Sequence, residues 1–245
     1  MQNPRARYRP HMRIAAFLSL LFLPMSAPAA DFEKAIPPGC GQLLLVTTDG
    51  WSASAATVRR YERAAPGAAW VPVEKAAPAL LGERGLAWGL GLHAVPRDGA
   101  PRKREGDRCA PAGVFRLTAA FGSREKIAGL KLPAVLVGPT LEAVDDPASR
   151  HYNRLVDRAV IAQPDWHSAE RMHAVRDYAL GVVVAQNPRN VPGAGSCIFL
   201  HLWSGKRTGT AGCTALRERD LTALARWLDP AREPVLVQLP RALAW

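Results

Sequence analysis

Hydrophobic residues along the chain fall mostly into short runs bounded by Gly, Pro or Asn, a pattern that is typical of β-strands. The clearest run is Gln42-Leu-Leu-Leu-Val-Thr-Thr48, which ends at Asp49-Gly50. By the same pattern we predict further strands over residues 57–63, 70–73, 114–120, 134–138, 178–185, 197–202 and 235–239.

Helical periodicity is scarce by comparison. Residues 217–228 place Leu221, Leu224 and Leu228 on one face with charged residues opposite, which predicts a helix, and residues 168–175 predict a second, shorter one. Many short strands without regular strand–helix alternation predict a mainly β fold with a few helices, in the form of a β-sandwich of antiparallel or mixed sheets.

The amino-terminal segment has the pattern of a secretory signal peptide. Residues 1–30 combine an Arg-bearing start, an apolar stretch over 14–23 and a run of small residues that includes Ala27-Pro28-Ala29. The apolar stretch is too short to span a hydrocarbon layer of about 30 Å. We therefore predict export, cleavage near Ala29 or Ala30, and one domain over 31–245; an uncleaved amino-terminal anchor is the alternative.

Composition and charge narrow the class of protein. Hydrophobic residues make up 48% of the 245 residues, so a globular fold is favoured over disorder. The formal charge is +11, and about +7 remains without the four Arg residues of the predicted signal peptide. In an exported protein this excess favours an anionic polymer such as cell wall, or an anionic lipid surface, over nucleic acid; a biased composition alone is the alternative.

The cysteines and histidines show no metal-ligand spacing. Cys197 falls in an apolar run and is interpreted as a small buried residue. Export would permit disulfides, and the pairing we consider is Cys40 with Cys109. We interpret the histidines outside the segment described next, His93, His151, His167 and His173, as surface or local structural residues.

The segment that suggests chemistry runs from Gly195 to Leu216. A buried strand is predicted to end near His201, a polar loop follows, and Gly212-Cys213 falls just before the predicted helix. A thiol at a helix amino terminus has a lowered pKa, and a neighbouring imidazole can serve as its general base and acid. The amides of Gly212 and Cys213 are candidate oxyanion donors. Spacing alone equally allows a packed cysteine and a structural histidine.

Three ordered blocks carry a resemblance to a known family. They are His201 with Thr210-x-Gly-Cys213; Lys103-Arg-Glu-Gly-Asp107 followed by Pro111-Ala-Gly-Val-Phe115; and Asp145-Asp146 followed by Tyr152-Asn153. Together they resemble the L,D-transpeptidase catalytic domain (YkuD-type). The chain departs from many members in having Ala211 where they carry His, and in its shorter interval between His201 and Cys213.

The resemblance implies an exported cysteine L,D-transpeptidase of the periplasm or cell wall, acting on peptidoglycan stem peptides without a metal or other cofactor. Cys213 would attack a tetrapeptide stem, expel its terminal D-Ala and form a thioester. His201 would act as base, oriented by a backbone carbonyl of Gly195 or Ser196. The alternatives are a carboxypeptidase or amidase that uses water as acceptor, and a non-catalytic wall-binding protein on the same fold.

Besides the catalytic set of Cys213, His201 and Gly212, several residues are predicted to contact substrate, and Asp107 is predicted to brace a turn. Lys206 and Arg207 flank the loop and could meet stem-peptide carboxylates, or be a solvated basic pair. The predicted substrate-binding residues are Thr210, Ala211, Trp203, Arg207, Tyr152 and Asn153.

Overall fold

The computed structural model describes residues 32–205 and 209–244, so the predicted signal peptide lies outside the described residues. The α-helices are α1 Arg124–Ile127 and α2 Glu218–Trp227. In chain order the strands are β1 Gln42–Thr48, β2 Ala55–Glu62, β3 Val71–Pro72, β4 Ala77–Leu80, β5 Leu86–Trp88, β6 Ala110–Gly122, β7 Ala134–Leu136, β8 Leu141–Val144, β9 Arg154–Asp157, β10 Ala169–Arg171, β11 Leu180–Val184, β12 Phe199–Leu202, β13 Thr214–Leu216 and β14 Val235–Pro240.

The main sheet closes on itself like a barrel. Its strands follow the order β1-β14-β6-β11-β12-β13-β4-β2, and β2 pairs again with β1. The pairs β1–β14 and β12–β13 are parallel, whereas the other neighbours in this ring are antiparallel. β3, β5 and β7 attach to the ring, and β8, β9 and β10 form a separate sheet. The mainly β prediction is confirmed, but the sandwich is not, because strand pattern alone does not reveal which strands pair.

The interior contains two groups of buried side chains. The larger one fills the closed sheet and includes Leu43, Phe115 and Leu236, and α2 adds Leu221 and Leu224 to it. The smaller group includes Phe121, Tyr178 and Phe199, whose rings make edge-to-face contacts, and it also contains Cys213. The residue predicted to be the nucleophile therefore lies in the same buried cluster as these aromatic rings.

Two local differences from the sequence predictions affect the site. The helix predicted over 168–175 is wrong: the chain forms β10 there and then a 3-10 turn over Met172–Ala174, because β10 pairs with β8. The strand β13 was not predicted, and it lies between Cys213 and α2. Cys213 is therefore not at the amino terminus of a helix.

No helix in the described part of the chain has the length and apolarity that crossing a bilayer requires.

Candidate active site

Two neighbouring strands bring His201 and Cys213 together. His201 lies in β12 opposite Ala215 of the parallel strand β13, and Cys213 immediately precedes β13. Both side chains line one cavity of about 230 Å³. The two residues singled out as nucleophile and base thus share one small space.

Cys213 is 8% exposed, and its thiol is held by backbone groups. Its Sγ accepts a hydrogen bond from the Phe199 amide at 3.3 Å and lies 3.7 Å from the Cys197 carbonyl oxygen, to which it can donate. Burial raises the pKa of Cys213 to about 12, against the opposing effect of the Phe199 amide. The predicted lowering of this pKa by a helix is wrong, because α2 begins only at Glu218. The resting thiol is protonated.

The His201 ring is fixed by its neighbour in sequence and by an aromatic side chain. Nδ1 lies 2.8 Å from the Leu202 carbonyl oxygen, which makes Nδ1 the protonated nitrogen and leaves Nε2 as the acceptor. The orienting carbonyl therefore belongs to Leu202, and the expectation of Gly195 or Ser196 is wrong. Burial lowers the pKa of His201, and the ring packs edge-on against Tyr178 at 5.5 Å. A neutral imidazole is the form that can take a proton from the thiol.

A tight turn precedes the thiol. Thr210 Oγ1 donates to the Cys213 carbonyl oxygen at 2.6 Å and accepts from the Gly212 amide at 3.1 Å. Gly212 has φ +147°, and a Cβ there would lie 3.1 Å from the Cys109 carbonyl oxygen, so glycine is needed. Because its amide is engaged inside the turn, Gly212 shapes the backbone here, and the Cys213 amide is the better oxyanion donor.

A second cavity, of about 330 Å³, adjoins the first. Trp203 and Thr210 line this larger cavity, whereas Cys213 lines the smaller one. The residues that line both cavities are Glu170, Tyr178, His201 and Ala211. His201 can therefore be approached from two sides.

Lys103 places a cationic side chain at the thiol cavity. Lys103 Nζ lines this cavity and pairs with Asp107, and the ammonium acts to lower the pKa of Cys213. Asp107 also accepts from the amides of Arg104 and Cys109. Asp107 thus braces the turn, as predicted, and the ion pair holds Lys103 near Cys213.

Glu105, Asp145 and Glu170 place carboxylates along the thiol cavity. Each accepts a hydrogen bond from a hydroxyl group, of Tyr152, Ser168 and Tyr178 respectively. Sequence reasoning missed Glu170 because its segment was predicted as a helix. A strand pattern over three residues gives too little periodicity to correct that prediction.

Tyr152 and Asn153 lie beside the site and do not line either cavity. Tyr152 is 2% exposed. Asn153 Oδ1 accepts from the Cys197 amide at 2.8 Å, and its Nδ2 donates to the Gln186 and Asn187 carbonyl oxygens. Asn153 thus supports the chain that leads into β12, whereas Tyr152 donates to Glu105.

The remaining predicted residues are placed as follows. Trp203 and Ala211 line the cavities, while Lys206 and Arg207 lie outside the described residues. All four cysteines are free thiols, so the pairing of Cys40 with Cys109 is wrong. Within residues 32–205 and 209–244, no three His, Cys, Asp or Glu side chains are grouped so that they could hold a metal ion.

Comparison with known proteins identifies the family of the chain. The family model of the L,D-transpeptidase catalytic domain, YkuD, matches residues 73–237, which is about two thirds of the chain and includes both His201 and Cys213. No curated protein and no solved structure matches the chain. The chain belongs to the L,D-transpeptidase catalytic-domain family, which acts on peptidoglycan.

Proposed function

We propose that the protein is an exported cysteine L,D-transpeptidase that acts on the tetrapeptide stems of peptidoglycan. The observation that carries the proposal is the placement of Cys213 and His201 on one cavity, within a chain of this family. Export is supported by the signal-peptide pattern of residues 1–30, and the positive charge of the remaining chain suits an anionic wall. We assign residues 31–245 to one catalytic domain.

Acylation begins with the protonated thiol. His201 Nε2 takes the Sγ proton as the sulfur attacks the carbonyl carbon between the third stem residue and the terminal D-Ala. The amide of Cys213 donates to the oxyanion that forms. The tetrahedral intermediate then breaks its C–N bond, His201 returns the proton to the leaving amine, and D-Ala departs from a Cys213 thioester.

An amine resolves the thioester in the second half of the reaction. Its nitrogen attacks the thioester carbonyl carbon, the C–N bond forms and the C–S bond breaks. His201 takes the proton of the amine and delivers it to the departing sulfur. The larger cavity gives an acceptor its own route to His201, which supports transpeptidation over simple hydrolysis. With water as the acceptor, the same steps make the protein an L,D-carboxypeptidase.

Cys213→Ala tests the proposal. Purified protein is incubated with a tetrapeptide donor, and mass spectrometry follows both D-Ala release and the acyl adduct on the protein. We expect the wild type to form an adduct on Cys213, and Cys213→Ala to lose adduct and release, because the attacking thiol is removed. Cys197 lines the same cavity, but its Sγ donates to the Val144 carbonyl oxygen at 3.4 Å. Products formed with and without an added amine separate transpeptidase from carboxypeptidase.

Cys40→Ala is the matched control, because it removes a thiol that lies in the other group of buried residues. We expect it to keep both adduct and release. Unchanged D-Ala release by Cys213→Ala would overturn the assignment of the nucleophile. A wild-type protein that binds wall peptides but yields neither adduct nor release would identify a non-catalytic wall-binding protein.

A further inference from the structure

Glu170 differs from the other described carboxylates of the site because it lines both cavities. Among the described residues, Glu83 and Asp177 line only the larger cavity, and Glu105 and Asp145 line only the thiol cavity. Glu170 lines both, together with His201. A group bound to Glu170 therefore lies where an acceptor from the larger cavity would meet a thioester on Cys213.

The Glu170 carboxylate is available to a ligand. Its side chain is exposed, and Tyr178 OH donates to Oε2 at 2.6 Å, which fixes the orientation of the carboxylate. Oε1 takes no hydrogen bond from any described residue, and no described Lys, Arg or His forms an ion pair with Glu170. A fixed carboxylate without a cationic partner is suited to bind a cation.

The charge of the surrounding walls also favours a cationic ligand. The cations among the described lining residues are Lys103, which is paired with Asp107, and Arg108, which is paired with Glu83. The lining carboxylates outnumber these two cations, although the chain as a whole is strongly positive. The junction of the cavities therefore attracts cations and disfavours anionic groups.

We propose that Glu170 binds the ammonium group of the acyl acceptor and thereby makes the enzyme select primary amines over water. This inference rests on the proposed function. The ammonium passes one proton to the Glu170 carboxylate, and the free amine then attacks the thioester, with C–N formation, C–S cleavage and transfer of a second proton through His201 to the sulfur. Glu170 afterwards releases its proton to solvent.

The test compares wild type with Glu170→Gln, which keeps the size of the side chain and an oxygen that can accept from Tyr178. Each protein receives the same tetrapeptide donor with either an α-blocked lysine, which carries an ammonium group, or hydroxylamine, which is uncharged at neutral pH. We expect the variant to raise the KM for the lysine acceptor about ten- to hundredfold and to divert thioester to hydrolysis. D-Ala release and reaction with hydroxylamine should change by less than about threefold.

Asp177→Asn is the charge-matched control, because it removes a carboxylate that lines only the larger cavity. Its ratio of lysine to hydroxylamine product should stay within about twofold of wild type. Three results would overturn the proposal. Glu170→Gln could lose reaction with both acceptors equally, or raise the KM for the donor without changing the division of thioester between amine and water. Asp177→Asn could lose the preference for lysine over hydroxylamine to the same extent as Glu170→Gln. A failure of the proposed function is distinct, since it would appear as a wild-type protein that releases no D-Ala.

Discussion

At neutral pH the Cys213 thiol is protonated, which is its unreactive form. Burial raises its pKa to about 12, although the Phe199 amide and the Lys103 ammonium both favour the thiolate. Burial also lowers the pKa of His201, so the resting pair is a neutral thiol beside a neutral imidazole. Under the proposed function, the thiolate forms only when a bound carbonyl and His201 act on the thiol together. We therefore expect free reagents to react slowly with Cys213.

We expect alkylation of Cys213 by iodoacetamide to be slow at neutral pH and to rise about tenfold per pH unit up to about pH 10, because the reactive thiolate fraction grows in that way. Peptide mapping by mass spectrometry gives the rates. His201→Ala should leave this profile unchanged while slowing acylation by the tetrapeptide about 10²- to 10⁴-fold. A plateau in the alkylation rate below about pH 9 would contradict the raised pKa.

At the scale of the element, buried hydrogen bonds hold β13, the strand that begins directly after Cys213. Thr214 Oγ1, next to Cys213, donates to Gln238 Oε1 at 2.8 Å, and Gln238 Nε2 donates to the Pro111 carbonyl oxygen at 2.8 Å. This buried chain of hydrogen bonds joins β13, β14 and β6. A group left unpaired inside it would cost free energy and would loosen the strand that follows the thiol.

Thr214→Val removes the hydroxyl with little change in shape and leaves Gln238 Oε1 buried without a donor. We expect the free energy of unfolding, measured with urea, to fall by about 1–3 kcal/mol. Thr57→Val is the matched control, because the Thr57 hydroxyl is exposed and bonds Thr47 at the surface. It should change stability by less than about 0.5 kcal/mol. Equal losses in the two variants would show that the buried chain has no special role.

Elements with a clear local pattern could be predicted from the sequence, and those made by pairing could not. β1 was predicted at its observed bounds, and α2 within one residue at each end, because each carries enough residues to show its period. β10 and β13 have three residues each and exist because β8, β12 and β4 pair with them. In the same way, the sequence motif predicted Cys213 and His201 as site residues, whereas Glu170 became a candidate only through the pairing of β10 with β8.

At the scale of the whole molecule, buried His93 makes the stability of the fold depend on pH. The His93 ring packs against Trp88 and Phe115, its Nδ1 accepts from the Val114 amide at 3.1 Å, and a Cβ on Gly113 would overlap the ring. Burial lowers the pKa of His93 to about 4. Between pH 4 and 6.5, roughly, the unfolded chain binds a proton on His93 and the folded chain does not. Protonation of His93 therefore favours the unfolded state in this range.

The sign of the effect follows from this difference. The contribution of His93 is fully present above its unfolded pKa of about 6.5 and is lost as the pH falls toward about 4, with a total of about 1–3 kcal/mol. Urea unfolding at a series of pH values should show this decline in wild type. His93→Gln, which can still accept from Val114, should flatten it over this window. The same decline in both proteins would assign it to other groups.

The parallel pairing of β12 with β13 has an evolutionary consequence. The ladder between these strands fixes His201 and also Thr214, the residue next to Cys213, so their positions do not depend on the chain that joins the two strands. Lengthening such a connection costs little, roughly 0.6 kcal/mol for each doubling. Insertions or deletions between Gly205 and Gly209 should therefore leave His201 and Cys213 in place. The connection between the two strands can therefore change in length while the proposed nucleophile keeps its position.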